Sequence, residues 1–416
     1  MDNNKGHQNK ENDPRAAASA KLMNELEKSP DFKPIVTRYR FLCKSLIELA
    51  YISADPSKSG SISIPASHNI LKVKNWADVA VLTDTVPVRP DKDYSSVCGI
   101  SKFASKYSMV GGVNAPKKIS CTGNDGVDRP QLVKGKDDLR QDAVMEQVFS
   151  LLNELLLLNN ETKKRKLSVR TYKVVPLSQR SGILEWCQNT QPIALFLEGP
   201  DKKSGAHKKY HPKELDSFQC RREMSSVGIK SGVTASLQKK LQIFKSICSR
   251  FSPAMKYFFF EKFSTAGSYY QAVTAYTRSV AVNSMVGHIL GLGDRHTNNI
   301  LIDNFTGEII HIDLGVAFEQ GRILPTPETI PFRLTRDIVD GFGPSGVEGT
   351  FRHCCEHTVQ VLRDNRSAVV TVLEVLLHDP LYNWSVGPGK AAARQEAGQW
   401  QKLQSENESG NKMANR

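Results

Sequence analysis

The sequence predicts an α+β protein built as two lobes, the first rich in strands and the second in helices. Two observations carry this. From about residue 79 the 416-residue chain runs in short apolar stretches separated by Gly, Pro and Asn, a strand pattern. After Trp186 the apolar residues recur at helical spacing over much longer runs. A length of 416 exceeds one ordinary domain and suits two lobes with flanking segments.

Residues 1–31 are polar and low in aromatics and are expected to form a disordered tail. Residues 32–78 are read as a helix over 33–52, with Pro34 in its first turn, followed by a Ser/Gly/Pro linker over 54–67; together they look like the end of a preceding helical domain. Residues 79–186 form the first lobe. Its strands are expected at 79–82, 97–103, 107–110, 118–121, 129–133 and 170–175, with one long helix at 139–158 packing an apolar face on the sheet. Residues 187–389 form the second lobe. Helices are expected at 237–260, 269–290 and 352–377, and a hairpin at 300–302 and 309–312 turning through 304–307. Residues 390–416 are again polar and expected to be disordered. A nucleotide is expected in the cleft between two such lobes.

Hydrophobic residues make up 39% of the chain, enough for a core, and the net charge is +13, which favours anionic partners without choosing among them. Much of the excess lies in 163–166 (KKRK) and between 202 and 250. These runs read as solvated loops and helix faces, or, for the first, as a nuclear-import signal or anion patch. The 8 cysteines show no CxxC, and no apolar run reaches the length of a membrane span; free thiols in a nuclear or cytosolic compartment are expected. A basic nucleic-acid-binding module has only the charge in its favour.

The chemistry is concentrated in GLGDRHTNNIL (291–301) and HIDLG (311–315). Phosphoryl transfer needs a carboxylate to orient the attacking hydroxyl and take its proton, and an amide and a second carboxylate to hold magnesium against the phosphates. Asp294 and Asn299 are five positions apart, the Asp-to-Asn spacing of a protein-kinase catalytic loop, and Asp313 follows at the end of a hairpin. In QLVKGKDDLRQD (131–142), Lys134 ends a strand where an ammonium can reach phosphates, and Asp137 and Asp138 precede a helix, a natural capping place. The glycine-bearing loop in KYSMVGGVNAPK (106–117) can bring backbone N–H groups close to phosphate. LEWC (184–187) lies where strand-rich sequence becomes helix-rich, and Trp186 offers a flat surface to an adenine ring.

The order Asp-Arg-His in place of His-Arg-Asp, with the HIDLG run, resembles the phosphatidylinositol-3-kinase-related protein kinases, and the resemblance covers most of the chain. It implies a bilobal kinase fold of the phosphatidylinositol-3/4-kinase type, acting with ATP and Mg2+ or Mn2+. It implies Asp294, His296 and Lys134 as catalytic residues and Asn299 and Asp313 as metal ligands. It further implies ATP contacts from Ser108, Lys134, Asp137, Asp142, Tyr172, Glu185, Trp186, Cys187, Leu301 and Ile312. For Asp138 the capping reading is preferred, and His311 is read as a strand residue that packs and hydrogen-bonds.

The segment VAFEQGRILPTPETIPFRLTRDIVDG (316–341) has only scattered Arg322, Arg333 and Arg336, no lysine, and acids that include Glu319, Glu328 and Asp337. A phosphoinositide headgroup needs clustered basic groups, so a protein substrate is expected over a lipid. Together with KVVPLSQRSGILEWC (173–187), this segment is similar to the DNA-break-signalling branch of the family. That likeness implies Ser/Thr-Gln substrates, a nuclear location and recruitment by a DNA-break sensor complex. Family members are very large and end in a short apolar, aromatic element. The polar sequence after Trp384 lacks it, so a truncated form or a fragment is expected, with a non-catalytic nucleotide-binding or regulatory module as the competing reading.

Overall fold

The structure is a computed structural model. It describes residues 14–377, apart from 54–59, 87, 92, 111–113, 202–203, 230–236, 319 and 325–326. The expected tail at 390–416, the glycines at 111 and 112, and Glu319 lie outside the described residues.

The chain divides into two compact units, residues 1–143 with 172–186, and residues 144–171 with 187–416. The first opens with α1 (Pro14–Lys28) and α2 (Phe32–Tyr51). Its strands are β1 (Ser61–Ser63), β2 (Lys74–Ala80), β3 (Gly99–Phe103), β4 (Lys106–Met109), β5 (Lys117–Gly123), β6 (Asp128–Gly135), β7 (Val174–Ser178) and β8 (Ser181–Glu185). They form one antiparallel sheet ordered β1-β4-β5-β6-β8-β7, with β3 joined to β5 and β2 to β3.

α1 corrects the expectation of a disordered tail. Pro14 starts it and the Ala-rich run that follows is strongly helix-forming, so local propensity outweighs low hydrophobicity. Residues 32–78 are also not separate from the strand-rich unit. Leu42, Leu46 and Leu49, one face of α2, are fully buried with Ile70, Val73, Ile100, Ile119 and Ile183 in a single core. The stretch read as a linker supplies β1, and β2 begins at Lys74, ahead of the expected start. The strand expected at 170–175 begins only at Val174, and β8 completes a hairpin that the apolar pattern alone did not mark.

Period-2 alternation explains β5 and β6. In β5, Lys117, Ile119, Cys121 and Gly123 face inward. Buried Lys117 donates from Nζ to the carbonyl of Ala50 at 2.8 Å, near the end of α2, where a cation meets unsatisfied carbonyls. Burial, with repulsion from Lys136, lowers its pKa. In β6, Gln131, Val133 and Gly135 are buried, so Lys134 projects from the opposite face.

α3 (Arg140–Leu158) starts in the first unit and continues in the second. The helices of the second unit are α4 (Asn160–Lys164), α5 (Ile193–Glu198), α6 (Ala206–Tyr210), α7 (Ser217–Ile229), α8 (Leu237–Cys248), α9 (Lys256–Lys262), α10 (Ala266–Ile289), α11 (Arg336–Asp340), α12 (Thr350–Asp364) and α13 (Arg366–Leu377). Its three-stranded sheet has the order β11 (Ile309–His311), β10 (Ile300–Asp303), β9 (Thr190–Pro192). α10 is buried on most sides between Ala272 and Gly287, so this stretch forms the centre of the unit. Two expected helices are each broken: 237–260 at the stretch holding Pro253, and 352–377 at Asn365.

Candidate functional site

The catalytic-loop sequence is delivered by the end of α10. Gly291, at φ 60°, takes the left-handed position just past the helix. Its N–H bonds to the His288 carbonyl at 3.2 Å and that of Leu292 to the Gly287 carbonyl at 2.8 Å, the paired bonds of a Schellman motif. The helix is thereby closed, and Gly293 and Asp294 emerge in a fixed direction.

The β10–β11 hairpin then brings distant positions together. Ile300 pairs with His311, and the N–H of Ile312 bonds to the carbonyl of Asn299 at 3.0 Å. Asn299, just before the hairpin, and Asp313, just after it, therefore lie at its open end. The turn is held by Asp303, whose carboxylate accepts the N–H groups of Phe305 and Thr306 at 2.8 and 3.0 Å and the Arg170 guanidinium at 2.5 Å. Burial pushes this carboxyl upward, but Arg170 and the two backbone donors outweigh it and hold it below the usual range.

Arg295, between the proposed base and His296, is buried and clamps three carbonyls. Nε donates to Gly293 and one Nη to Ile312, both at 2.8 Å, and the other Nη to Asp313. The planar fork thus ties the loop carrying Asp294 to the loop carrying Asp313. Sequence reasoning gave Arg295 no role. Its place inside the motif was the available signal.

Asp294 and Asp313 both adopt φ 57°, a conformation that costs a non-glycine residue about 1 kcal/mol or more. Asp294 is half-buried and Asp313 exposed. The Asn299 amide donates from Nδ2 to the Asp294 carbonyl at 3.0 Å, which leaves Oδ1 as the atom able to meet a cation. Asn299 Oδ1 and the Asp313 carboxylate are hard oxygens suited to magnesium. Among the described residues no three His, Cys, Asp or Glu side chains group as a ready-made metal centre. His296 is exposed; its Nδ1 accepts the N–H of Asn298 at 3.3 Å, so Nε2, 4.0 Å from Asp294 Oδ2, carries the proton.

His311 is the packed strand residue expected and differs from the expectation in one hydrogen bond. It is buried in β11, and its Nδ1 has no hydrogen-bond partner. Burial, with the charge of Arg295, lowers its pKa to about 3, so the ring is neutral. Leu301 is buried in β10, and Ile312 and Cys187 are half-buried.

In the first unit, Lys134 Nζ lies 3.4 Å from Asp137 Oδ2. Asp138 takes the capping place, accepting the Arg140 N–H at 3.1 Å and gripping its guanidinium. Asp142 is buried at the start of α3. Ser108 sits in β4, paired with Ser61 and Lys118. Glu185 is pinned to Lys173: its N–H bonds to the Lys173 carbonyl at 2.8 Å and its carboxylate accepts the Lys173 N–H at 3.0 Å, with buried Tyr172 beside this link. The Trp186 N–H bonds to the Pro130 carbonyl at 3.1 Å, and Lys118 Nζ stands 4.1 Å from the centre of its ring. Burial lowers the pKa of Lys118.

A strand-rich unit with a phosphate-type lysine and a helical unit with an Asp-Asn-Asp constellation define a kinase-type fold. The chain belongs to the phosphatidylinositol 3- and 4-kinase family, whose model matches residues 130–386. It is 50% identical over 366 residues to the serine-protein kinase ATM of Sus scrofa, covering 88% of this chain and 12% of that protein. It is 45% identical to the serine/threonine-protein kinase ATM of Arabidopsis thaliana over 87% of this chain and 9% of that protein. Among solved structures it is similar to the FAT and kinase domain of CtTel1, with a TM-score of 0.81 and 42% identity over 92% of this chain and 27% of that one. The open conformation of CtTel1 gives 0.82 and 41% over 94% of this chain and 15% of that one. The chain thus spans a small part of the length of the relatives it matches.

Proposed function

We propose that this chain is the kinase portion of a serine/threonine protein kinase that transfers the γ-phosphate of ATP to Ser or Thr followed by Gln, in nuclear DNA-damage signalling. The observation that carries the reading is the joining of Asp294, Asn299 and Asp313 by the hairpin register and the Arg295 clamp.

In this reading Asp294 accepts the proton of the substrate hydroxyl as its oxygen attacks the γ-phosphorus. The bond from phosphorus to the bridging oxygen breaks, and ADP leaves with that electron pair. His296, protonated at Nε2, faces charge developing on the transferred group. Lys134, steadied by Asp137, meets the phosphates. Asn299 Oδ1 and Asp313 would hold the metal, which when bound would neutralise charge on the phosphate oxygens. Ser108, Asp142, Tyr172, Glu185, Trp186, Cys187, Leu301 and Ile312 are assigned to ATP contacts.

A protein substrate is favoured over a lipid because the described part of 316–341 has no basic cluster: Arg322, Arg333 and Arg336 stand apart, with Glu328 and Asp337 between or beside them. No described helix is long and apolar enough to cross a membrane. The Gln preference, the nuclear setting and a DNA-break sensor as partner rest on likeness to the ATM and Tel1 proteins.

The test is transfer from labelled ATP, with Mg2+ or Mn2+, to a Ser-Gln peptide and its Ser-Ala twin, with Asp313→Ala as the blank. Transfer to the Ser-Gln peptide alone, lost in the blank, supports the proposal. ATP binding without transfer would instead support a regulatory, non-catalytic form of the fold.

A further inference from the structure

The Glu328 carboxylate occupies a slot left by two glycines. Its Oε2 accepts the backbone N–H of Asp294 at 2.9 Å. A Cβ at Gly293 would lie 2.8 Å from that oxygen, and one at Gly321 would lie 2.6 Å from it, so neither position tolerates a side chain while the carboxylate is seated. The two glycines also approach each other, with the same Gly293 Cβ only 2.9 Å from the Gly321 Cα. The N–H of Glu328 turns back to the Gly321 carbonyl at 3.0 Å, and the N–H of Gly293 bonds to the Val316 carbonyl at 2.9 Å. The segment after Gly315 therefore folds against the two residues that lead into the catalytic loop.

Asp294 stands at φ 57°, where an L side chain is disfavoured. Its carbonyl is held by Asn299 and its N–H by Glu328, so both ends of the residue are fixed by side chains. A carboxylate is a strong acceptor for a backbone N–H. We propose that Glu328 is a positioning residue: its carboxylate holds the Asp294 backbone in the left-handed turn that aims the Asp294 side chain. It does so from the same segment whose composition bears on substrate class. This rests on the kinase reading of Asp294.

Glu328→Ala, Glu328→Gln and Gly321→Ala in the 416-residue chain test it. The readouts are kcat and the KM for ATP with a Ser-Gln peptide, and amide exchange over 291–296 by mass spectrometry. Glu328→Ala should lower kcat at least about tenfold, leave the KM for ATP within about twofold, and speed exchange of the Asp294 amide. Glu328→Gln keeps an oxygen acceptor and should stay within about threefold of the parent. Gly321→Ala evicts the carboxylate and should reproduce the alanine loss, and the double variant that combines Gly321→Ala with Glu328→Ala should be no worse than either single one. Parental kcat in Glu328→Ala, equal losses in the alanine and glutamine variants, or additive losses in the double variant would overturn the proposal. If Glu328→Ala does not fold, the other two variants decide. If the parent chain transfers no phosphate, the kinase reading fails separately; unchanged exchange at 291–296 in Glu328→Ala would then sink the positioning role by itself.

Discussion

The side-chain amide of Asn299 donates from Nδ2 to the backbone carbonyl of Asp294 at 3.0 Å. The five-residue spacing between them is therefore a hydrogen-bonded loop with one amide serving two purposes. Nδ2 fixes the loop, and Oδ1 is left for a cation.

Asn299→Asp separates these purposes. The variant keeps an oxygen for the metal but sets a second acceptor against the Asp294 carbonyl. Losing a buried bond and adding repulsion is worth about 2–3 kcal/mol, or roughly a hundredfold in kcat. The Mg2+ concentration for half-maximal rate should not rise. Initial rates across a magnesium series check this; a higher magnesium requirement at unchanged kcat would contradict it.

Asp294→Ala should lower transfer by about 10²–10⁴, the range for loss of a positioned general base. ATP affinity, measured by calorimetry, should stay within about threefold. Transfer at the parental rate would refute the assignment of Asp294.

Arg295→Lys tests the clamp. A lysine cannot hold three carbonyls in the geometry of a fork. Leaving one or two buried carbonyls without donors should destabilise the chain by about 2–4 kcal/mol. Urea denaturation followed by circular dichroism reads this. An unchanged midpoint would mean that Arg295 does not hold the loops together.

Asp303→Asn carries a pH signature. The Asp303 carboxyl is held below its usual range in the folded chain. Its stabilisation is thus present above the ordinary carboxylate pKa of about 3.9 and is lost as pH falls through the lower folded value. The variant should be less stable by about 1–3 kcal/mol near neutral pH. The gap should be flat above about pH 5 and shrink below about pH 4. A gap that widens on acidification would contradict the sign of the shift.

Much of the fold could be read from local patterns because those patterns bury one face. The stripe Leu42, Leu46, Leu49 and the alternation Lys117, Ile119, Cys121 each point to one core. Where the pattern misled, another local term won. The alanines after Pro14 make a helix of a stretch that composition marks as polar tail. Pro253 and Asn365 divide runs whose apolar spacing is continuous. β1 and β9 are short strands whose partners lie far along the chain, and no local signal specifies those.

Covalent order alone places Lys134, Asp294, Asn299 and Asp313 at kinase spacing, in a chain whose strands precede its helices. Those follow from covalent order and side-chain chemistry. What holds them in place comes from packing. The Arg295 clamp spans 18 positions to Asp313, and the bond from Asp294 to Glu328 spans 34. Partners at such separations are chosen by packing and hairpin register, and neither propensity nor spacing carries that information.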